Sequence, residues 1–396
     1  PAIISAVMTA VALFAFAATR SPKGDISRNL DIFTSIYKNL QTNYVDTIDA
    51  DKSMTTAINA MLNEIDPYTE YIAEKDQNDF MTISTGEYGG IGSFIAERNG
   101  KVYVTEPRPG SPAQKAGLRP GDVFFVIDGD TVTSLHSADV SKRLKGQAGT
   151  KVNVTVKRPH VADSIVEFEL TREKIEIDPV PYFGVVKGDI GYIQITTFNE
   201  KTFEKTRDAL LELKKNPAVK SIVLDLRGNG GGLLESAVQV VGLFVPKGTE
   251  VVRYRGRDLL NEKIFKTTHK PVDADIPLAV LVNGNSASAA EIVTGALQDL
   301  DRAVVVGERS FGKGLVQSTR QLPYNGLLKL TIAKYYIPSG RLIQAIDYSH
   351  RNPDGSVARI PDSLTTVWHT RAGREVRDGG GITPDIKVEY PEGNRL

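Results

Sequence analysis

The spacing of apolar residues changes character several times along the chain, and each change predicts a different element. Pro1 to Ala18 carry no charge and are mostly Ala, Ile, Val, Leu, Met and Phe. With Ala15-Phe16-Ala17 near its end, this segment (1–20) reads either as a cleaved signal peptide or as a retained membrane anchor, and both readings export the rest of the chain. Leu30, Phe33, Ile36, Tyr37, Leu40 and Tyr44, then Ile58, Met61, Leu62 and Ile65, recur at helical spacing and predict two amphipathic helices in an N-terminal region 26–87. The helices end at Asp66-Pro67-Tyr68, because proline cannot continue a helix.

From Tyr88 to Arg172 the pattern becomes short β-runs divided by glycine and proline. Asn99-Gly100 is a hairpin signal, Val123–Ile127 a strand closed by Asp128-Gly129, Ser137–Leu144 a helix, and 151–157 and 164–170 further strands. After Arg172, strands and helices alternate: strand 190–195, helix 202–213, strand 221–226, helix 234–243, strand 278–282, then a helix opening near Ser286. Such alternation predicts an α/β core with parallel strands and functional groups at the strands' carboxyl ends.

Composition narrows the chemistry. Lys plus Arg and Asp plus Glu are 48 each, so no broad field is available for nucleic acid. Cysteine is absent, which removes thiol nucleophiles, disulfides and thiolate metal sites. Serine, threonine, lysine and the carboxylates are left as reactive groups, together with five histidines, none of which sits in a motif.

Three segments carry the candidate chemistry. Asp225-Leu226-Arg227-Gly228-Asn229-Gly230-Gly231-Gly232 follows a buried strand and lets backbone N–H groups approach a ligand. Asn285-Ser286-Ala287-Ser288-Ala289-Ala290-Glu291 opens a helix; serine there is a usual N-cap, but a helix needs only one. Gly307-Glu308-Arg309-Ser310-Phe311-Gly312-Lys313-Gly314 approaches a phosphate-binding loop but has Gly314 where a hydroxyl is required, and a strand rather than a helix is expected after it. Lys313 has another use: burial lowers a lysine's pKa until the neutral amine serves as a general base.

The segment 88–172 resembles a PDZ domain, through its Gly89-Gly90-Ile91-Gly92 loop and the Leu118-Arg119-Pro120-Gly121-Asp122 turn running on to Asp128-Gly129. The resemblance implies a carboxylate-binding loop at Gly90, Ile91, Gly92 and Ser93, with a peptide end added as a strand beside Ile91–Ala96. Ser93 stands where a hydrophobic residue is usual, and Phe94 follows one place later.

The three junctions, with Asp66-Pro67-Tyr68-Thr69 and Gly381-Ile382-Thr383-Pro384-Asp385, resemble the carboxyl-terminal processing peptidases, or tail-specific proteases, over about 31–388. The resemblance implies a ClpP/crotonase-like α/β protease core over 173–396 with an inserted PDZ domain. It implies Ser288 rather than Ser286 as nucleophile, Lys313 as base and Gln317 as the group orienting that lysine. It assigns the oxyanion hole to the N–H of Ala289 and one from the glycine run, Gly231 or Gly232. Ala290 departs from the serine common in relatives and touches no assigned role.

The expected function is therefore an exported serine endopeptidase that captures the C-terminal ends of protein or peptide substrates and cuts them through an acyl-enzyme. The expected location is the periplasm or cell envelope, with residues 1–18 anchoring the chain where they are retained. A homo-oligomer or an adaptor protein is compatible with this reading, nucleic acid is not expected as a partner, and no cofactor or metal is called for. The alternatives are a non-catalytic PDZ scaffold, which leaves the serine, lysine and glutamine unexplained, and an ATPase using 307–314, which Gly314 disfavours.

Overall fold

The computed structural model describes residues 22–159, 165–258, 262–352 and 354–388. The apolar segment 1–18 lies outside them, and no described helix is long and apolar enough to cross a membrane. The chain divides after Glu64 into two compact units. The first contains the two expected helices, Pro22–Asn43 and Ala50–Asn63, the second capped by the Asp49 carboxylate, which accepts the Lys52 N–H. The PDZ segment and the α/β core share the second unit.

The PDZ segment folds as its alternation predicts. In Lys151–Lys157 the three valines 152, 154 and 156 are buried while Lys151, Asn153 and Lys157 are exposed, the period of a strand with one face on a core. Strands Ser93–Arg98, Lys101–Pro107, Val123–Ile127, Lys151–Lys157 and Ile165–Thr171 lie in that order, which leaves Ser93–Arg98 at an edge beside the helix Ser137–Leu144. Asn99 and Gly100, at φ 53 and 67, form the tight turn that joins the first two strands.

In the α/β core a six-stranded sheet runs Tyr182–Val186, Ile190–Gln194, Ser221–Asp225, Leu278–Val282, Val304–Gly307, Ile386–Lys387, antiparallel at the first pair and parallel thereafter. Spatial order follows chain order, so there is no reversal point of the kind that opens a binding crevice in doubly wound sheets. With right-handed crossovers the helices Thr202–Lys214, Leu234–Val241 and Ala289–Asp299 fall on one face and pack on each other in sequence. Every residue of Ala289–Asp299 is buried, because an antiparallel sheet covers its other side. That sheet joins Glu70–Ile72, Leu327–Tyr336, Glu250–Gly256 and Glu262–Lys266, with Leu315–Gln321 paired along Leu327–Tyr336. Ile222, Leu224, Val280, Val293, Leu297, Val252 and Tyr335 form one core through all three layers.

Candidate active site

Ser221–Asp225, Leu278–Val282 and Val304–Gly307 are adjacent parallel strands, so the three candidate loops leave the sheet side by side at its carboxyl end. Hydrogen bonds knit them together. Ala287 N–H donates to Asn229 O at 2.9 Å, Gly228 N–H to Asn283 Oδ1 at 3.0 Å, and Phe311 N–H to Ser286 O at 3.0 Å.

The two serines differ sharply. Ser286 is fully buried; its Oγ donates to Leu226 O at 2.8 Å and accepts Asn283 N–H at 3.0 Å, a structural tie between loops. Ser288 is partly exposed and sits at φ 56, ψ −116 as the residue before the helix, a conformation rarely adopted outside glycine. A strained strand-to-helix corner of this kind pushes a hydroxyl outward, a geometry shared with the nucleophile elbow of α/β-hydrolases.

Glu291, three residues on, is fully buried and accepts four donors. Its Oε2 takes Ser288 N–H at 2.9 Å and Lys313 N–H at 2.8 Å; its Oε1 takes Ser310 Oγ–H at 2.5 Å and Gly312 N–H at 2.7 Å. Burial pushes this carboxyl up to about 7, while the four donors pull the other way. Tyr335 closes the same pair of loops from below: its hydroxyl donates to Lys313 O and lies 3.1 Å from Ser288 O. One carboxylate oxygen and one phenol thus hold the main chains of residues 288 and 313 together.

The Lys313 amine lies over the Tyr68 ring, 4.2 Å from its centroid. Burial, with Lys329 nearby, lowers its pKa to about 8, against the attraction of Asp66, Glu291 and Glu70. Gln317 stands on the strand after Lys313, past a bulge, and its Nε2 donates to Thr331 Oγ1 at 3.3 Å; among the described residues it makes no hydrogen bond to Lys313. The strand Leu315–Gln321 begins two residues after Lys313, where a phosphate-binding loop needs a helix.

The glycine run packs on the serine corner. A Cβ on Gly231 would stand 2.8 Å from Ser288 Cβ and 3.0 Å from Ala289 N. Gly231 N–H is taken by Asn229 Oδ1 at 2.8 Å, whereas Gly232 N–H and Ala289 N–H have no hydrogen-bond partner among the described residues. Asn229 is fully buried, its Nδ2 donating to Ile195 O at 2.8 Å, which accounts for asparagine inside the glycine motif. Asp225 is clasped by Arg227 and accepts Tyr192 O–H at 2.6 Å, bracing the strand end.

In the PDZ segment, a cleft between the edge strand and the helix Ser137–Leu144 is lined by Tyr88, Ile91, Gly92, Ser93, Ile95 and Leu144, among others. Gly90 is buried, and the N–H groups of Ile91 and Gly92 have no partner among the described residues. A bulge between Phe94 and Ile95 turns Ile95 into the cleft and leaves Phe94 49% exposed under Arg108. Ser93 and Ile95 therefore face the cleft, Ile95 supplying an apolar contact, while Phe94 does not line it.

Two family profiles match the two parts of the second unit. The profile of peptidase family S41 matches residues 189–354 and that of the PDZ domain residues 103–158. A carboxy-terminal-processing protease of Bartonella bacilliformis is 37% identical over 92% of this chain and 76% of its own length. A probable CtpA-like serine protease of Staphylococcus aureus is 37% identical over 86% and 68% respectively. Among solved structures, the photosystem II D1 C-terminal processing protease is 28% identical, covers 90% of this chain and 92% of its own, and has a TM-score of 0.48. With its PDZ domain set beside an S41 core, this chain belongs to the carboxy-terminal-processing serine proteases of peptidase family S41.

Proposed function

We propose that the chain is an exported endopeptidase of the periplasm or cell envelope that binds the carboxyl end of a polypeptide in the PDZ cleft and cuts upstream of it with a Ser288–Lys313 pair. The observation that carries the proposal is the shared clamp of Glu291 and Tyr335 on residues 288 and 313, with the lysine amine held largely neutral in slightly alkaline solution. As Ser288 Oγ bonds to the scissile carbonyl carbon, its proton passes to Lys313 Nζ. The carbonyl oxygen becomes an oxyanion facing Ala289 N–H and Gly232 N–H. Collapse breaks the C–N bond, the Lys313 ammonium protonates the departing amine, and an ester remains on Ser288. Water, deprotonated by the same lysine, then hydrolyses that ester. Gln317, four residues beyond Lys313 on the strand Leu315–Gln321, is the group assigned to orient that lysine.

The test uses the full chain and an unstructured polypeptide with either a free C-terminal carboxylate or a C-terminal amide. Two backbone N–H bonds to a carboxylate are worth about 1.5–3 kcal/mol each, so the amide is expected to be cut at least tenfold more slowly at low substrate. Equal rates would remove PDZ capture from the reading, and intact polypeptide in both arms would remove cleavage.

Gly231→Ala is expected to lower kcat by roughly a hundredfold or more, since a methyl group 2.8 Å from Ser288 Cβ and Ala287 O must displace the nucleophile from its aim. The backbone at φ 103 adds about 1–3 kcal/mol of strain in alanine. A variant that melts earlier yet keeps wild-type kcat would separate the glycine run from the chemistry.

A further inference from the structure

The Asp66-Pro67-Tyr68-Thr69 turn precedes the PDZ domain by some twenty residues, yet its geometry bears on the lysine. Asp66 is buried; its Oδ1 accepts Tyr68 N–H at 2.8 Å and Thr69 N–H at 2.7 Å, and its Oδ2 accepts Thr69 Oγ1–H at 3.0 Å. Thr69 Oγ1 in turn accepts Thr331 N–H at 3.2 Å, and Glu70–Ile72 continues as a strand on Leu327–Lys329. The turn is thereby locked to the sheet that contains Gln317. Tyr68 projects from it with Tyr348 edge-on, centroids 5.9 Å apart at 89°, and the Tyr348 hydroxyl 3.4 Å from its own. On the Tyr68 ring lies the Lys313 amine.

We propose that Tyr68 is the positioning residue for the base: its ring, fixed by the Asp66 turn and by Tyr348, both aims the Lys313 amine and seals it from water. The proposal rests on the reading of Lys313 as general base. The ring face attracts a cation, so the ammonium formed when the lysine takes a proton has a preferred seat. The ring's bulk also excludes the water that would otherwise hydrate an ammonium, and so keeps the neutral form accessible. The other charged or titratable groups around Lys313 include Asp66 and Glu70 on the turn and strand, Lys329 on the neighbouring strand, Glu291 on the helix, the Tyr335 phenol that donates to the Lys313 carbonyl, and the Tyr348 phenol against Tyr68. Beside these groups, Tyr68 presents a ring face directly to the amine.

The experiment is the pH profile of kcat/KM on an unstructured polypeptide for the full chain and for Tyr68→Phe, Tyr68→Ala and Lys313→Ala. The acidic limb reports the base of the free enzyme. Tyr68→Phe keeps the ring and is expected to retain both the limb and the plateau. Tyr68→Ala admits water, so its limb is expected to move up by about one pH unit, and a misaimed amine to lower the plateau by roughly tenfold to a hundredfold. A plateau loss with an unmoved limb, a wild-type profile in Tyr68→Ala, or a Phe variant as impaired as the Ala variant would each overturn the proposal. Should Tyr68→Ala not fold, Tyr68→Leu keeps the seal without the ring face; about a tenfold lower plateau is expected, and a wild-type plateau overturns the proposal. Lys313→Ala distinguishes the two levels. If it cleaves like wild type, the base assignment fails and Tyr68 falls with it, whereas an inactive Lys313→Ala beside a wild-type Tyr68→Ala profile overturns Tyr68 alone.

Discussion

Ser288→Ala is expected to lower kcat on an unstructured polypeptide by roughly 10⁴–10⁶-fold, the scale on which removal of a nucleophile leaves only binding and oxyanion stabilisation, with no loss of thermal stability. Ser286→Ala is expected to behave in the opposite way. The Ser286 hydroxyl bridges Leu226 O and Asn283 N–H with no exposure to solvent, so its removal leaves two buried backbone groups short of a partner. That deficit is about 1–3 kcal/mol, visible as a lower midpoint in urea, while kcat stays within several-fold. The two hydroxyls stand two residues apart in one motif, and only the backbone separates their roles: one turns inward to tie loops, the other is held at the φ 56 corner. Measuring kcat and unfolding on both variants decides the assignment. Cleavage that survives in Ser288→Ala would overturn it, and equal loss in both would mean that loop shape, not the hydroxyl at 288, carries the activity.

Much of this site is legible in the chain because it is local. A buried parallel strand followed by glycine, serine or lysine in a small-residue setting already marks a loop at the sheet's carboxyl end, and strands laid down in chain order bring such loops together. Contacts made across great sequence separation are a different matter. Glu70–Ile72 pairs with Leu327–Lys329, and nothing in either segment names the other, so the seating of Tyr68 on Lys313 emerges only from the fold. Glu291 has a sequence signal, glutamate three residues after a serine at a helix start, but that pattern speaks of capping. Its second oxygen, and the reach to 310, 312 and 313, depend on where the next strand ends. Which of Gly231 and Gly232 keeps an N–H without a partner among the described residues depends on the Asn229 side chain, which takes the Gly231 N–H. In the PDZ cleft the bulge between Phe94 and Ile95 is likewise a pairing detail that depends on the neighbouring strand.

Lys313→Met should produce a protein that is inactive at every pH and yet more stable than wild type at neutrality. In the folded chain the amine titrates at about 8, against 10.5 when unfolded, because burial and Lys329 disfavour its charge. Below pH 8 both states hold the proton, and the folded state bears the full cost of a poorly solvated ammonium, about 3 kcal/mol from the gap between the two values. Between 8 and 10.5 the folded state has lost the proton that the unfolded state still binds, so wild-type stability rises with pH. Above 10.5 both amines are neutral and the cost is gone. Methionine keeps the length and apolar packing of the lysine stem without the charge, and it gives up the attraction to the Tyr68 ring, which trims the expected gain to about 2 kcal/mol. Urea titrations at pH 7 and pH 10.5 should therefore show an advantage for Lys313→Met at the lower pH that shrinks at the higher. A gain independent of pH would point to packing rather than charge. No gain at pH 7 would mean that the ammonium is well solvated where it lies, and a lysine so solvated could not serve as the base.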